Sequence, residues 1–249
     1  MRKALLFTIM FCAVTVSFAQ EIIVAVAANV QFAMQDLESA YEQKSGLAIK
    51  TVISSSGKLT AQIQNGAPFD VFLSADMKYP DTLYSTGFAE AKPKVYAYGS
   101  LVLWTMKEVD LSQGIKILLN AKTRKIAVAN PKTAPYGAEA VKVLKHYQLY
   151  ESVSPKLVYG ESIAQVNQYI FSQVAEMGIT AKSVVLSPAM RGKGKWIEID
   201  PAAYSPIAQG VVILKHGSKN HPQASQAFYD FLFSEAAKKI LKDYGYFVP

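Results

Sequence analysis

The sequence predicts an α/β fold with mostly parallel sheets covered by helices, and three observations predict it. From Glu21 onward, short apolar runs alternate with stretches whose apolar residues recur at helical spacing. Gly, Asn, Ser and Pro punctuate the changes from one pattern to the other. The 249 residues are 51% hydrophobic and 18% charged, which is enough to bury a full core and excludes disordered, collagen-like and low-complexity chains.

The elements follow in order. Ile22 to Val26 reads as a buried strand, and Ala33, Met34, Leu37, Ala40 and Tyr41 then share one helix face until Gly46 supplies a stop. Leu47 to Ile53 is a second strand, Ser54-Ser55-Ser56-Gly57 a junction, and a helix carrying Leu59 and Ile63 ends near Gly66. Val71 to Leu73 is a third strand, and Tyr79 to Tyr84 a short helix closed by Gly87. A long apolar stretch, Val95 to Met106, opens a second series. It continues with strand Ile126 to Ala129, a turn at Asn130-Pro131, and a helix from Gly137 to Tyr147. Strand Leu157 to Tyr159, a helix from Ile163 to Val174, and a short strand Gly178 to Ala181 repeat the pattern. Ile207 to Leu214 returns as a strand, and His221 to Tyr244 forms one long amphipathic helix with Ala224, Phe228, Phe231 and Leu232 on a common face. No internal repeat and no Ser- or Pro-rich linker is visible, so two lobes would be joined by shared crossing strands, a hinge and not a tether.

The net charge of +7, from 26 basic and 19 acidic residues, would suit nucleic acid if the basic residues were concentrated on one face. They are dispersed, and the densest group, Arg191, Lys193 and Lys195, is interleaved with glycine as in a surface loop. Nucleic acid is therefore not an expected partner. Cys12 is the sole cysteine, and with three histidines it cannot supply a zinc ribbon or finger, so no bare metal cation is expected.

Met1-Arg2-Lys3, the apolar run Ala4 to Val16 and the small residues Ser17 and Ala19 read as a cleaved secretory signal over residues 1–19. The run is shorter than the roughly 20 residues that span a bilayer. Phe11 before Cys12 disfavours lipid attachment there, and cleavage leaves a cysteine-free chain suited to an oxidising envelope compartment.

Candidate chemistry sits where strands give way to helices. Ala28-Asn29, Ser55-Ser56-Gly57, Ala134-Pro135-Tyr136-Gly137 and Glu161-Ser162-Ile163 each place small or polar residues at a helix start. Free amides and the positive dipole end there attract anions, and ligands of open α/β sheets collect beyond the carboxyl ends of strands. Each junction taken singly is also an ordinary helix cap, and Tyr136 alone an ordinary packed aromatic. Together they point to an oxyanion or small-ligand binder.

The phrases Val26-Ala27-Ala28-Asn29, Ser54-Ser55-Ser56-Gly57-Lys58-Leu59, Gly66-Ala67-Pro68-Phe69-Asp70-Val71-Phe72-Leu73-Ser74-Ala75-Asp76 and Ile126-Ala127-Val128-Ala129-Asn130-Pro131 stand in an order and spacing that resemble the periplasmic molybdate-binding proteins of ABC importers. The likeness runs from Glu21 to the C-terminus. It implies a two-lobed clamshell of the type II binding-protein class, with residues 20–100 and 208–249 in one lobe and 101–207 in the other. A tetrahedral dianion, molybdate or tungstate, would lie between them, with no cofactor. A monomeric periplasmic protein that hands its cargo to a membrane permease is implied as well.

By the same resemblance Asn29 stands where the family usually has a donating serine, beside the amide of Ala28, and Ser56 matches a second family serine. Tyr136, or its amide, and the amide of Ile163 match positions that close over the ligand from the other lobe. Ala181 departs from the pattern, because many members carry a tyrosine there; the tyrosine of the Ala-Pro-Tyr-Gly loop would take its part.

A shell of neutral donors suits a fully deprotonated anion, whereas monohydrogen phosphate would turn a hydroxyl toward donors only, at a cost of about 1–3 kcal/mol. Sulfate would have to be refused by cavity size. Another oxyanion, such as sulfate or phosphate, in the same fold is the alternative reading. A serine hydrolase is a further one: Gly160-Glu161-Ser162-Ile163-Ala164 approaches a nucleophile elbow, and Asp200 with His216 or His221 follows in hydrolase order. Ala164 replaces the final glycine, however, and no Gly-rich oxyanion loop precedes Ser162. Ser55-Ser56-Gly57-Lys58 lacks the first glycine and the closing Ser or Thr of a phosphate loop, and Lys58 is expected in solvent.

Overall fold

Central strands buried almost continuously along their length build the first sheet, which is covered on both faces. The computed structural model describes residues 21–249, so the signal segment 1–19 and Cys12 lie outside the described residues. The first series comprises β1 (Ile22–Ala27), a 3-10 turn (Ala28–Val30), α1 (Gln31–Ser45), β2 (Ile49–Ser54), α2 (Ser56–Gln64), β3 (Val71–Leu73), α3 (Lys78–Ser85) and β4 (Lys94–Gly99). The second comprises β5 (Leu101–Thr105), β6 (Ile126–Ala129), α4 (Pro135–His146), α5 (Tyr150–Val153), β7 (Leu157–Gly160), α6 (Ile163–Phe171), β8 (Met177–Ala181), α7 (Lys182–Leu186) and β9 (Lys195–Glu198). The chain ends with β10 (Ile207–Ile213), α8 (Lys215–Asn220), α9 (Pro222–Leu232) and α10 (Glu235–Asp243).

One sheet has the order β2-β1-β3-β10-β4, the other β7-β6-β8-β5-β9. In each, three parallel strands continue into an antiparallel pair, so both sheets are mixed. In the first sheet Val24, Val26, Val71, Leu73 and Val211 face α1, α9 and α10, while Ala25, Phe72 and Val212 face Leu59, Ile63 and Leu83. That period-two alternation places apolar layers on both faces of the sheet. In the second sheet the Leu101–Trp104 run of β5 is buried throughout, and its core extends to Ala27, Ala28 and Ala75 at the carboxyl ends of β1 and β3 in the first sheet.

Gly46 closes α1 as the sequence predicts, in the left-handed region at φ 70°, with its amide donating to Glu42 O at 2.8 Å. Other boundaries differ. The apolar stretch Val95 to Met106 divides at Ser100 into β4 and β5, which belong to different sheets. The helix expected from His221 to Tyr244 breaks after Leu232, where extended Ser234 starts α10 by accepting from the Ala237 amide at 3.4 Å. The helix expected to reach Val174 ends at Phe171, and Gln173 at φ 59° turns the chain. Lys195, read as part of a loop, begins β9, paired with Thr105 of β5.

The chain passes between the sheets at residues 99–101 and again before β10. These crossings lie side by side, since Gly99 pairs with Ile207 and the Leu101 amide donates to the Tyr204 hydroxyl at 3.1 Å.

Candidate functional site

Strand ends from both sheets converge on one small cavity. Its walls are Ala27, Ala28, Asn29, Ser55, Ser56, Ala75, Ala134, Pro135, Tyr136 and Ile163, all uncharged. All five residues singled out from the sequence, Ala28, Asn29, Ser56, Tyr136 and Ile163, are among them. The empty space is ≈ 200 Å³ with the mouth included. Such a space encloses a compact ligand of a few atoms and excludes a sugar or peptide.

The parallel strands explain the convergence. β1 delivers Ala28 and Asn29 into the 3-10 turn, and β2 delivers Ser55 as the residue that caps α2 and Ser56 as its first residue. From the second sheet, Tyr136 is the second residue of α4 after Pro135, and Ile163 is the first of α6 after Ser162. Amides in a first helical turn have no intrahelical acceptor, so these starts present N–H groups and positive dipole ends. The Ser56 hydroxyl oxygen accepts from the Ala75 amide at 2.9 Å, which fixes the side chain and leaves its own hydrogen to donate.

Asn29 is buried at the centre of a polar network. Its Nδ2 donates to Gln209 Oε1 at 2.9 Å and to the Tyr246 hydroxyl at 3.3 Å. Its carbonyl accepts from Ser183 Oγ and the Tyr246 hydroxyl, both at 2.8 Å. The Tyr96 hydroxyl donates to Gln209 Oε1 at 2.9 Å, and Gln209 Nε2 donates to the Tyr136 hydroxyl at 3.1 Å. Burial pushes the Tyr136 and Tyr96 phenols well above the ordinary tyrosine value, reinforced by neighbouring tyrosines, and pushes Tyr246 up to about 12. All three remain neutral hydroxyls at physiological pH. Two buried atoms of cavity-lining residues, Asn29 Oδ1 and Ser55 Oγ, have no hydrogen-bond partner among the described residues.

Beside the cavity the two halves are in direct contact. The Gly57 amide donates to Thr133 O at 2.9 Å, the Tyr79 hydroxyl donates to Lys132 O at 3.2 Å, and Lys58 Nζ pairs with Glu161 Oε2 at 2.5 Å. Lys58, expected in solvent, thus bridges the cleft while staying 41% exposed. A Cβ on Gly57 would stand 2.7 Å from the Tyr79 hydroxyl and 2.9 Å from Thr133 O, so only glycine permits this approach.

Ser55 is expected only as part of its junction, and Gln209 and Tyr246 are not expected at the site at all. Ser55 lay inside a recognised phrase, and Gln209 was legible as one amide in the apolar run of β10, at a bulge between Gln209 and Gly210. Tyr246 reaches Asn29 from 217 residues away, a proximity without local signal. Ala181 is buried at the end of β8, outside the cavity lining.

The hydrolase arrangement is not assembled. Ser162 precedes α6 as its cap, Asp200 accepts from the Ala202 amide, and His216 and His221 both face Asp70 at the far end of the first sheet.

Two sheets of like topology, joined by adjacent crossings and closing helix starts over a small uncharged cavity, define a two-lobed ligand-binding protein. Comparison with known proteins agrees with that class. Residues 22–247 match the family described as bacterial extracellular solute-binding proteins, and the chain belongs to it. It is 40% identical to the molybdate-binding protein ModA of Azotobacter vinelandii over 229 residues, covering 92% of this chain and 90% of that protein. Identity to ModA of Rhodobacter capsulatus is 35%, covering 92% and 88% respectively. The solved structure of the Azotobacter vinelandii periplasmic molybdate-binding protein superposes with a TM-score of 0.86 at 33% identity, covering 92% of this chain and all of that one. Among the described residues no helix is long and apolar enough to cross a membrane.

Proposed function

We propose that this protein captures molybdate as the extracytoplasmic binding component of an ABC importer, holding the anion between its lobes by hydrogen bonds alone. It is a transport protein and not an enzyme, and molybdenum enters as cargo in its oxyanion, with no cofactor. The observation that carries the reading is the convergence of uncharged donors on a cavity whose lining residues include two buried polar atoms without partners. The Ser55 hydroxyl is costly to leave unpaired in an interior and can donate to an arriving anion, whereas the Asn29 oxygen can serve an anion only if its carboxamide turns over.

In this reading the main-chain amides near Ala28 and at Asn29, the amide and hydroxyl of Ser56, and the amides of Tyr136 and Ile163 donate to the anion. Rotating the carboxamides of Asn29 and Gln209 together by half a turn preserves their mutual hydrogen bond, reverses the one to Tyr96, gives up the 3.3 Å bond to the Tyr246 hydroxyl and turns the unpartnered Asn29 atom from acceptor into Nδ2–H donor. The Tyr136 hydroxyl then donates to Gln209, which fills the part left by Ala181 only indirectly: it locks the network behind Asn29. A shell with donors only favours an anion without a proton, so molybdate and tungstate are held and monohydrogen phosphate is refused.

Only the closed state engages donors from both sides, so the ligand selects closure of the lobe formed by 20–100 and 208–249 onto the lobe formed by 101–207. The closed form, a monomer in the periplasm after loss of residues 1–19, is what the membrane permease recognises. A thermal-shift series with molybdate, tungstate, sulfate and phosphate, followed by calorimetric titration, tests this. Selective stabilisation by molybdate and tungstate is expected. A response to sulfate or phosphate alone would replace the assignment with another oxyanion.

A further inference from the structure

We propose that Asp70, His216 and His221 form a second ligand site, one for a borderline divalent cation of the Zn²⁺ type, at the end of the first sheet opposite the anion cavity. Two of the chain's three histidines converge there on one carboxylate oxygen: His216 Nδ1 lies 2.8 Å and His221 Nδ1 2.9 Å from Asp70 Oδ1. One ligand atom from each of the three residues falls within 4.8 Å of the others. Asp70 immediately precedes β3, and its Oδ2 accepts from the amide of Ile23 at the start of β1 at 2.7 Å. The cavity lies beyond the other end of β1, roughly 13 Å away along the strand.

The site is built by close backbone approach. A Cβ on Gly217 would stand 2.5 Å from Asp70 O, so glycine lets α8 settle against Asp70 and places His216 beside the carboxylate. His221, at the junction of α8 and α9, approaches the same oxygen, its own amide held by Gly217 O at 2.9 Å. Asp70 is wholly buried while the imidazoles are 34% and 23% exposed, so the carboxylate is fixed and desolvated and the open side faces water.

The chemistry of the donors selects the ion. Two imidazole nitrogens and one carboxylate oxygen, with a solvent-facing position left for water, make a set that Zn²⁺ accepts in tetrahedral geometry; Mg²⁺ and Ca²⁺ prefer oxygen donors throughout. Ligand atoms around tetrahedral zinc stand roughly 3.3 Å apart for bonds of about 2.0–2.1 Å, so an outward shift of about half an ångström converts the present contacts into coordination. Each neutral imidazole then carries its proton on Nε2 and presents the Nδ1 lone pair. The Ile23 amide on Oδ2 orients the carboxylate, as outer hydrogen bonds do at metal sites. Cation binding would clamp α8 and α9 to the starts of β1 and β3, independently of the anion.

Calorimetric titration of chelator-treated protein with ZnCl₂, together with zinc-edge X-ray absorption, tests the assignment. One zinc per chain with two imidazoles in its shell is expected, with affinity reduced about tenfold or more in His216→Ala and His221→Ala and unchanged in His146→Ala. His216→Gln and His221→Gln retain a polar partner for Asp70 and guard against misfolding; folding is checked by circular dichroism, and both should also lose zinc. Absence of saturable binding, or binding that survives substitution of both histidines, would overturn the site and leave the pair as hydrogen-bond partners of a buried carboxylate.

Discussion

The two sheets share one strand order, yet they offer a ligand different chemistry. In the proposed reading the first brings a side-chain hydroxyl as well as main-chain amides, at Ser56 and at Ala28 and Asn29, while the second brings the first-turn backbone of α4 and α6, at Tyr136 and Ile163. A side-chain donor depends on residue identity, whereas a helix-start amide is present in every residue except proline. If that reading holds, the first half carries the replaceable part of selectivity, and the second half's contribution follows from where two helices begin.

The contrast can be broken most severely at Gly57. Gly57→Ala places a methyl group against the Thr133 carbonyl and holds the halves apart, so molybdate affinity measured by calorimetry should fall about a hundredfold or more as the second set of donors is lost. Next in size is a paired test at Ile163. Proline is tolerated at a first helical position, and extended Ser162 at φ −152° is compatible with a following proline, so Ile163→Pro removes one N–H from the site. It should cost about 1.5–3 kcal/mol of binding, as for a lost donor to a charged group. Ile163→Ala keeps the amide and should bind within about threefold of the parent; equal losses in both variants would show that packing and not the amide matters. Ser56→Ala should weaken binding by about 1–3 kcal/mol and tests the first half directly.

Alkaline titration probes the network between the halves. Tyr246, raised from 10.0 to about 12, binds its proton more tightly when folded, so its contribution to stability is complete below pH 10 and is lost as pH rises toward 12. The unfolding free energy from denaturation curves should be insensitive to this group from pH 6 to 9 and decline above pH 10, by about 1.4 kcal/mol per pH unit between the unfolded and folded pKa values. Tyr246→Phe should flatten part of that decline. The smallest change is expected from Lys58→Ala, because an exposed ion pair contributes about 0–1 kcal/mol; affinity should stay within a fewfold of the parent at moderate salt.

Much of this was legible before any coordinates. Ala28, Asn29, Ser56, Tyr136 and Ile163 stood at strand-to-helix junctions, and local chain geometry places such junctions at one end of a parallel sheet. Gly99-Ser100 and Ser234 mark the division and the break in the sequence, but apolar residues resume soon after each, and nothing local tells that β4 and β5 join different sheets. Gln209 and Tyr246 belong to a further class: their roles come from contacts across long chain separations, 180 and 217 residues from Asn29.

By itself the sequence determined the α/β alternation, the helix starts and the absence of charge at Ala28, Asn29, Ser56, Tyr136 and Ile163, since these depend on neighbouring residues and their hydrogen-bonding inventory. Only the tertiary structure decided which amides share a cavity, how narrow it is, and that Lys58 reaches Glu161 and two histidines reach Asp70. Those relations arise when sheets close on one another and bury polar groups, and burial demands partners that no local pattern encodes.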